Sequence, residues 1–326
     1  MTRIAALLAT LLAPCFALAQ ALSTSPGPAY PAKPVKIVVA FTAGGTTDIM
    51  ARLLAQSLSD RLKQPFVIEN KPGAGGNLGT EIVCRAPPDG YTLSINSVGP
   101  ISVNPTLYKS LACNPLTELV PVAHISEVPN VLVAHPSLKV ATLDAFNAYA
   151  KARPGELNYA STGIGTSSHL SSYMLASRAG FTATHIPYKG AEALKDLLTG
   201  RVQFMFATIP SVIAHIRAGN LVALGVSSLK RSRSLPEVPT IAESGFPGFE
   251  AGSWFGIFVP KGTPAAVIAT LNKASNEIIA ERAIESRMID EGADPAGGSP
   301  ERFAEFVRRE HEKWRKVVQD SGALVD

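Results

Sequence analysis

The chain has 326 residues, 46% of them hydrophobic and 17% charged, with a formal net charge of +4. That composition excludes a disordered or fibrous chain, and the length exceeds one small core and suits two lobes of roughly 100–150 residues each. Charge is dispersed along the chain: the basic stretch Lys230-Arg231-Ser232-Arg233 is too short for a nucleic-acid arm and reads as a solvated loop.

Residues 1–20 read as an export signal. Arg3 supplies the positive start, Ile4 to Leu18 are almost wholly apolar, and Ala17-Leu18-Ala19 and Ala19-Gln20-Ala21 each satisfy the small-x-small cleavage rule. The apolar stretch is short for a membrane-spanning helix. A periplasmic, soluble protein is expected. A lipoprotein is the competing reading, because Leu12-Ala13-Pro14-Cys15 loosely matches a lipobox; proline before the cysteine fits it poorly. Removing the signal removes Cys15 and leaves Cys84 and Cys113. An oxidising compartment permits a bridge between them. Sequence does not place their Cα atoms within reach, so two separate, partly buried thiols are expected.

Strand and helix patterns then alternate, which predicts an α/β fold with mostly parallel sheets. Val35–Phe41 is a strand, and Thr42 to Thr47 form a turn. A helix follows from about Asp48, with Ile49, Met50, Leu53, Leu54, Leu58 and Leu62 on one face. Phe66–Glu69 is a second strand, followed by the glycine-dense loop Asn70–Gly76 and a helix over Asn77–Arg85. Tyr91–Asn96 is a third strand, ending in Ser97-Val98-Gly99-Pro100. Val131–Ala134 is a strongly apolar strand that begins a crossing into a second lobe. That lobe repeats the theme: strand Leu157–Ala160, glycine loop Ser161–Thr166, helix from about Ser168, then strands Thr184–Tyr188, Val202–Phe206 and Leu221–Val226. Gly256–Pro260 is the strand that crosses back. Thr263-Pro264 and Ser299-Pro300 each mark a cap followed by proline at the first helical position. Phe303, Phe306, Val307, Trp314, Val317 and Val318 form a packing stripe on the last helix.

Two loops share one design: a strand, glycines, then a helix start. The first N–H groups of a helix lack partners within it and carry the positive end of its dipole. Glycine lets an anion approach them, so the design suits a carboxylate or phosphate. One such loop, Ala43-Gly44-Gly45-Thr46-Thr47-Asp48, lies in the first half; the other, Ser161 to Thr166, lies in the second. Facing each other, they would clamp one anion. A helix terminus contributes about 0.3–1 kcal/mol, whereas micromolar binding needs about 8 kcal/mol. Charge-assisted hydrogen bonds must supply the rest, from loop N–H groups and the hydroxyls of Thr46, Ser97, Ser161 and Thr166. Such turns often solve only a packing problem, Asp48 is a natural helix cap, and His169 has no partner legible in the sequence.

Several chemistries lack support. There is no Gly-x-Ser-x-Gly elbow and no phosphate loop for nucleotides, and neither glycine loop completes a dinucleotide fingerprint. The six histidines are scattered, and Cys84 and Cys113 lack zinc-site spacing. No metal or organic cofactor is expected.

The chain resembles the Bug (TctC-like) receptors of tripartite tricarboxylate transporters over nearly all of its mature length. The resemblance rests on Phe41 to Asp48 with Ala51-Arg52, on Glu69 to Asn77, and on Pro88 to Leu93. It continues through Gly155 to Ser161 with His169-Leu170, Pro187 to Gly190, Leu235 to Thr240 and Gly245 to Phe249. It implies a two-lobed, type II-like Venus-flytrap that binds small carboxylates, amino acids or nicotinate-like rings and passes them to a membrane permease. The family's pocket maps onto Ala43, Gly44, Gly45, Thr46, Asp48, Ser97, Gly165, Thr166 and His169. Two departures stand out. Ala43 replaces the family's usual proline. Ala207 stands where many members carry an aspartate that would meet a ligand ammonium; its absence favours a carboxylate or neutral ring over an amino acid.

The expected architecture is therefore an export signal over 1–20, lobe 1 over 21–130 plus 255–326, and lobe 2 over 131–254. The expected function is a monomeric receptor for a di- or tricarboxylate, nicotinate-like ring or amino acid, without catalysis or nucleic-acid partners. Its expected ligand-binding residues are Ala43, Gly44, Gly45, Thr46, Asp48, Ser97, Ser161, Gly165, Thr166, His169 and Ala207. Two alternatives stay open: a co-sensor presenting the solute to a membrane kinase, and an exported enzyme using Ser161, Thr166 and His169.

Overall fold

A computed structural model describes residues 30–321 and Val325. The export signal and Cys15 lie outside the described residues. The strands in chain order are β1 (Val35–Val39), β2 (Phe66–Asn70), β3 (Thr92–Ser97), β4 (Leu119–Ala134), β5 (Asn158–Ser161), β6 (Thr184–Pro187), β7 (Phe204–Thr208), β8 (Val222–Val226), β9 (Gly252–Pro260) and β10 (Asp294–Pro295). They join in the order β2-β1-β3-β9-β4-β7-β5-β6, with β8 and β10 also paired to β4. The protein is a two-lobed α/β binding-protein fold on a curled sheet.

The sheet is mixed, where the sequence pattern predicts mostly parallel pairing. Its two ends are parallel: β1 pairs β2 and β3, and β5 pairs β6 and β7. Its centre is antiparallel, because the chain leaves the first lobe on β4 and returns on β9. β4 has 16 residues. Leu119 to Pro129 pair with β9, and Asn130 to Ala134 pair with β7 and β8. Only its last four residues are evident as a strand in the sequence. Upstream, Pro121, His124, Ser126, Glu127 and Pro129 break the apolar pattern, and register shifts between Pro121 and Ala123 and between His124 and Ser126 accommodate them.

Three apolar clusters hold the molecule. One belongs to the first lobe (Ile37, Leu54, Leu93, Ile257, Leu271) and one to the second (Val131, Leu197, Met205, Val212). The third runs along the crossing strands beneath the last helix and includes Leu132, Phe206, Trp254, Phe303 and Trp314. That helix spans Pro300–Ser321, and its predicted stripe buries Phe303, Val307, Trp314 and Val318. The Ala265–Ile279 helix starts one residue later than predicted: Pro264 is its cap, and Thr263 Oγ1 donates to the Pro260 carbonyl instead.

Cys84 and Cys113 form a disulfide, with Cα atoms 6.3 Å apart. This corrects the expectation of two separate thiols. The Asn77–Cys84 helix ends against the loop leading to the Pro115–Glu118 helix, a juxtaposition of segments 29 residues apart that local pattern does not encode.

Candidate functional site

The first loop leaves β1 and enters the Thr46–Leu62 helix, capped by Gly45. Gly44 has a φ of +81°, which glycine adopts without strain. Its N–H donates to Asp48 Oδ2 at 3.0 Å. The same carboxylate accepts from Arg52 Nε at 2.8 Å and Asn70 Nδ2 at 3.0 Å. Burial works to raise the Asp48 pKa. The hydrogen bonds from Arg52, Gly44 and Asn70 outweigh it and hold the carboxyl below its usual range. Asp48 is thus a charged brace beneath the loop.

The second loop leaves β5 and enters the Ser167–Ala179 helix, capped by Thr166. Thr166 Oγ1 accepts from the His169 N–H at 3.4 Å and donates to the Gly163 carbonyl at 2.7 Å. Gly165 has a φ of +80°. A Cβ there would stand 2.5 Å from Asn104 Oδ1 of the facing lobe, so glycine is also a steric requirement. The Gly165 N–H donates to His169 Nδ1 at 3.3 Å. Ser161 is fully buried; its Oγ lies 2.6 Å from His185 Nε2 and accepts from the Gly163 N–H at 3.2 Å. The His169 and His185 rings stack at 4.0 Å. Burial pushes His169 down to about 4 and His185 to about 3, with repulsion from His169 adding to the latter.

A third helix, Ile209–Arg217, begins at the same place from β7, with Thr208 at its cap and Ser211 three residues in. The three helix starts surround one cavity between the lobes, lined also by Ser97, Gly99, Phe255, Leu194 and Met205. Its space measures about 80 Å3. Among the described residues, no Lys, Arg, His, Asp or Glu lines it. The lobes touch across it. Thr46 Oγ1 and Thr208 Oγ1 are 2.6 Å apart, and the Ala191 N–H donates to Thr42 Oγ1 at 3.1 Å.

Gly44, Gly45, Thr46, Ser97 and Thr166, singled out by sequence pattern, line the cavity. Asp48, Ser161, Gly165 and His169 stand behind it and shape the loops. Ala43 is exposed at the loop's outer edge. Ala207 is buried in the second-lobe core, and its neighbour Thr208 reaches the cavity. Sequence reasoning missed Thr208, Ser211, Ser167 and Ser253. The cue for the first two was available: threonine, then proline at the second helical position, then serine is a helix start without glycine.

The profile described as "Tripartite tricarboxylate transporter family receptor" (TctC) matches residues 50–323. This chain belongs to that family. It is 42% identical over 296 residues to protein BugT of Bordetella pertussis, spanning 90% of this chain and 91% of that one. Among solved structures, an R. palustris protein with adipate superposes with a TM-score of 0.89 at 37% identity, covering 91% of this chain and 100% of that chain. MatC from Rhodopseudomonas palustris, with bound malate, superposes with a TM-score of 0.84 at 34% identity, covering 89% and 100%. TctC proteins are solute-binding receptors, and the two-lobed fold described above is theirs.

Proposed function

We propose that this TctC receptor is periplasmic, captures a small carboxylate by closing its lobes, and presents it to the membrane permease of a tripartite transporter. One observation carries the reading: helices from both lobes begin at a single cavity lined by hydroxyls and apolar side chains and, among the described residues, by no charged side chain, and the first N–H groups of a helix have no partner within it. An anion there is held by amides and hydroxyls alone. Each helix end contributes about 0.3–1 kcal/mol and each charge-assisted hydrogen bond about 1.5–3 kcal/mol. Several such donors together are needed to reach the roughly 8 kcal/mol of micromolar binding, and the cavity draws them from both lobes. Ligand affinity is then tied to closure, with bending at the crossing strands near Pro129–Asn130 and Ala251–Gly252.

The adipate and malate seen with relatives support a carboxylate. A ligand ammonium would face helix N-termini with no carboxylate in the wall, which disfavours an amino acid. A nucleophilic hydroxyl requires a neighbouring base, and the cavity wall presents none among the described residues; the reading is binding without turnover. Calorimetry and thermal shift at pH 7 with adipate, malate, citrate and nicotinate test it. At least one should bind with micromolar affinity and raise the melting temperature with concentration. Tight binding of amino acids with no response to these acids would overturn it.

A further inference from the structure

The two anion loops are built as structural equivalents. Gly44 and Gly165 share nearly the same positive φ, +81° and +80°. Each precedes the cap residue of its helix, Gly45 or Thr166. Each N–H donates to a side chain four residues on: Asp48 Oδ2 at 3.0 Å, His169 Nδ1 at 3.3 Å. Hydroxyl residues fill the positions between, Thr46-Thr47 in one loop and Ser167-Ser168 in the other. His169 holds the place in the second lobe that Asp48 holds in the first.

We infer that His169, backed by His185, is a positioning residue: its unprotonated Nδ1 holds the Gly165 amide and thereby keeps the second anion loop in its binding shape. The inference rests on the receptor reading for its functional meaning, while the lock itself is visible without ligand. An imidazole nitrogen accepts a hydrogen bond only when it carries no proton. The Gly165 bond therefore requires neutral His169 with its proton on Nε2. A proton on Nδ1 would set N–H against N–H and release Gly165. Thr166 and Ser167, the next two residues, line the cavity, so releasing Gly165 disturbs the donors that would meet the carboxylate.

His185 fixes the His169 ring. It stacks on that ring at 4.0 Å with planes 13° apart, Tyr159 stacks on His185 at 4.9 Å, and Ser161 Oγ holds His185 Nε2 at 2.6 Å. The ring contacts set the two histidines against each other and Tyr159 against His185, and among the described residues no carboxylate contributes to the titration of either histidine. Two imidazolium rings 4.0 Å apart would repel, so acid works against the stack as well as against the Gly165 bond. Asp48 braces its loop by carrying charge; His169 braces the other by lacking it.

Nitrogen-15 NMR of the mature chain tests the lock without ligand. His169 should be the neutral Nε2–H form down to about pH 5, and the Gly165 exchange protection factor should fall with the midpoint at which that ring gains its proton. His169→Ala should lower Gly165 protection at pH 7 at least tenfold. His169→Asn, whose Oδ1 stands near the Nδ1 position, should restore most of the protection and remove the acid midpoint. Gly165 protection that ignores the ring's titration, or that survives His169→Ala in a chain folded by circular dichroism, would overturn the inference. Calorimetry with adipate is the second arm. Corrected for adipate's own protonation, affinity in the unmodified chain should fall about twofold from pH 7 to pH 4, where the His169 ring is half protonated, with near-ultraviolet dichroism unchanged, and His169→Asn should remove that fall. A corrected affinity that does not change with pH would also overturn the inference. No adipate binding at pH 7 counts against adipate as ligand under the receptor reading, and the Gly165 measurements still decide the lock.

Discussion

Gly44 in the first lobe and Gly165 in the second donate the same hydrogen bond to the same relative position, and there the likeness ends. The first acceptor is a carboxylate that must be ionised, and it also gathers Arg52 and Asn70. The second is an imidazole that must be neutral, supported by ring stacking and a buried serine. The first lobe is further stapled by Cys84–Cys113, behind the segment on which Gly165 closes. One backbone requirement, an amide fixed ahead of a helix start, is met once by charge and once by its exclusion. The difference is thermodynamic as well as chemical, because the two braces lose strength in different pH ranges.

The largest expected effect is on the staple. Replacing both Cys84 and Cys113 with serine releases a link across 29 residues and should lower the unfolding free energy by roughly 3–4 kcal/mol in the chain-entropy account. Urea denaturation measures it, and an unchanged midpoint would show that the first lobe does not depend on covalent bracing.

Asp48→Ala comes next. It leaves the Gly44 amide and Asn70 without their acceptor and Arg52 without its partner. A loss of about 2–3 kcal/mol is expected, together with weaker carboxylate binding by calorimetry. Asp48→Asn should recover only part, since the neutral amide accepts less strongly and brings an NH2 that fits none of these donors.

Acid titration separates the histidines from Asp48, with buried His124, also held down to about 4, adding to the histidine slope. His169 is neutral in the folded state down to about 4, against 6.5 for a free histidine. Between those values the unfolded chain binds more protons, so stability falls as pH drops through this window, by up to about 1.4 kcal/mol per pH unit for each such group. The Asp48 contribution runs lower. Its folded pKa lies below 3.8, so its stabilisation is complete above that value and disappears only as pH falls through the folded one. Unfolding free energies from pH 7 to 3 should show the histidine slope first. A slope that begins only below pH 4 would mean that the histidines do not contribute.

The smallest effect lies at the seam. Thr208→Val keeps the shape and removes the hydroxyl pairing with Thr46. Closure should weaken by about 0.5–1.5 kcal/mol, read as a lower carboxylate affinity and a larger ligand-free radius of gyration by X-ray scattering.

Much of this arrangement is legible in the sequence. Strand, glycine turn and helix are spelled out by neighbouring residues in both loops, so Gly44, Gly45, Thr46 and Thr166 stand out before any coordinate is known. Thr208 and Ser211 escape notice because their turn, Thr208-Ile209-Pro210-Ser211, contains no glycine, although its helix cap is readable. Ala207 draws attention through the family resemblance, but strand alternation sends it into the core and leaves Thr208 to face the cavity.

The sequence by itself determined the α/β alternation, the conformation of both glycine loops and the buried stripe of the last helix, because periodicity, caps and turns act over a few residues. The tertiary structure alone decided the Cys84–Cys113 link, the stacking of His169 on His185 and the meeting of Thr46 with Thr208. Those contacts depend on register carried across the molecule by β4 and β9. The register of β4 is set by pairing to β9 along its first stretch and to β7 and β8 along its last, through prolines and polar residues that leave no periodic trace.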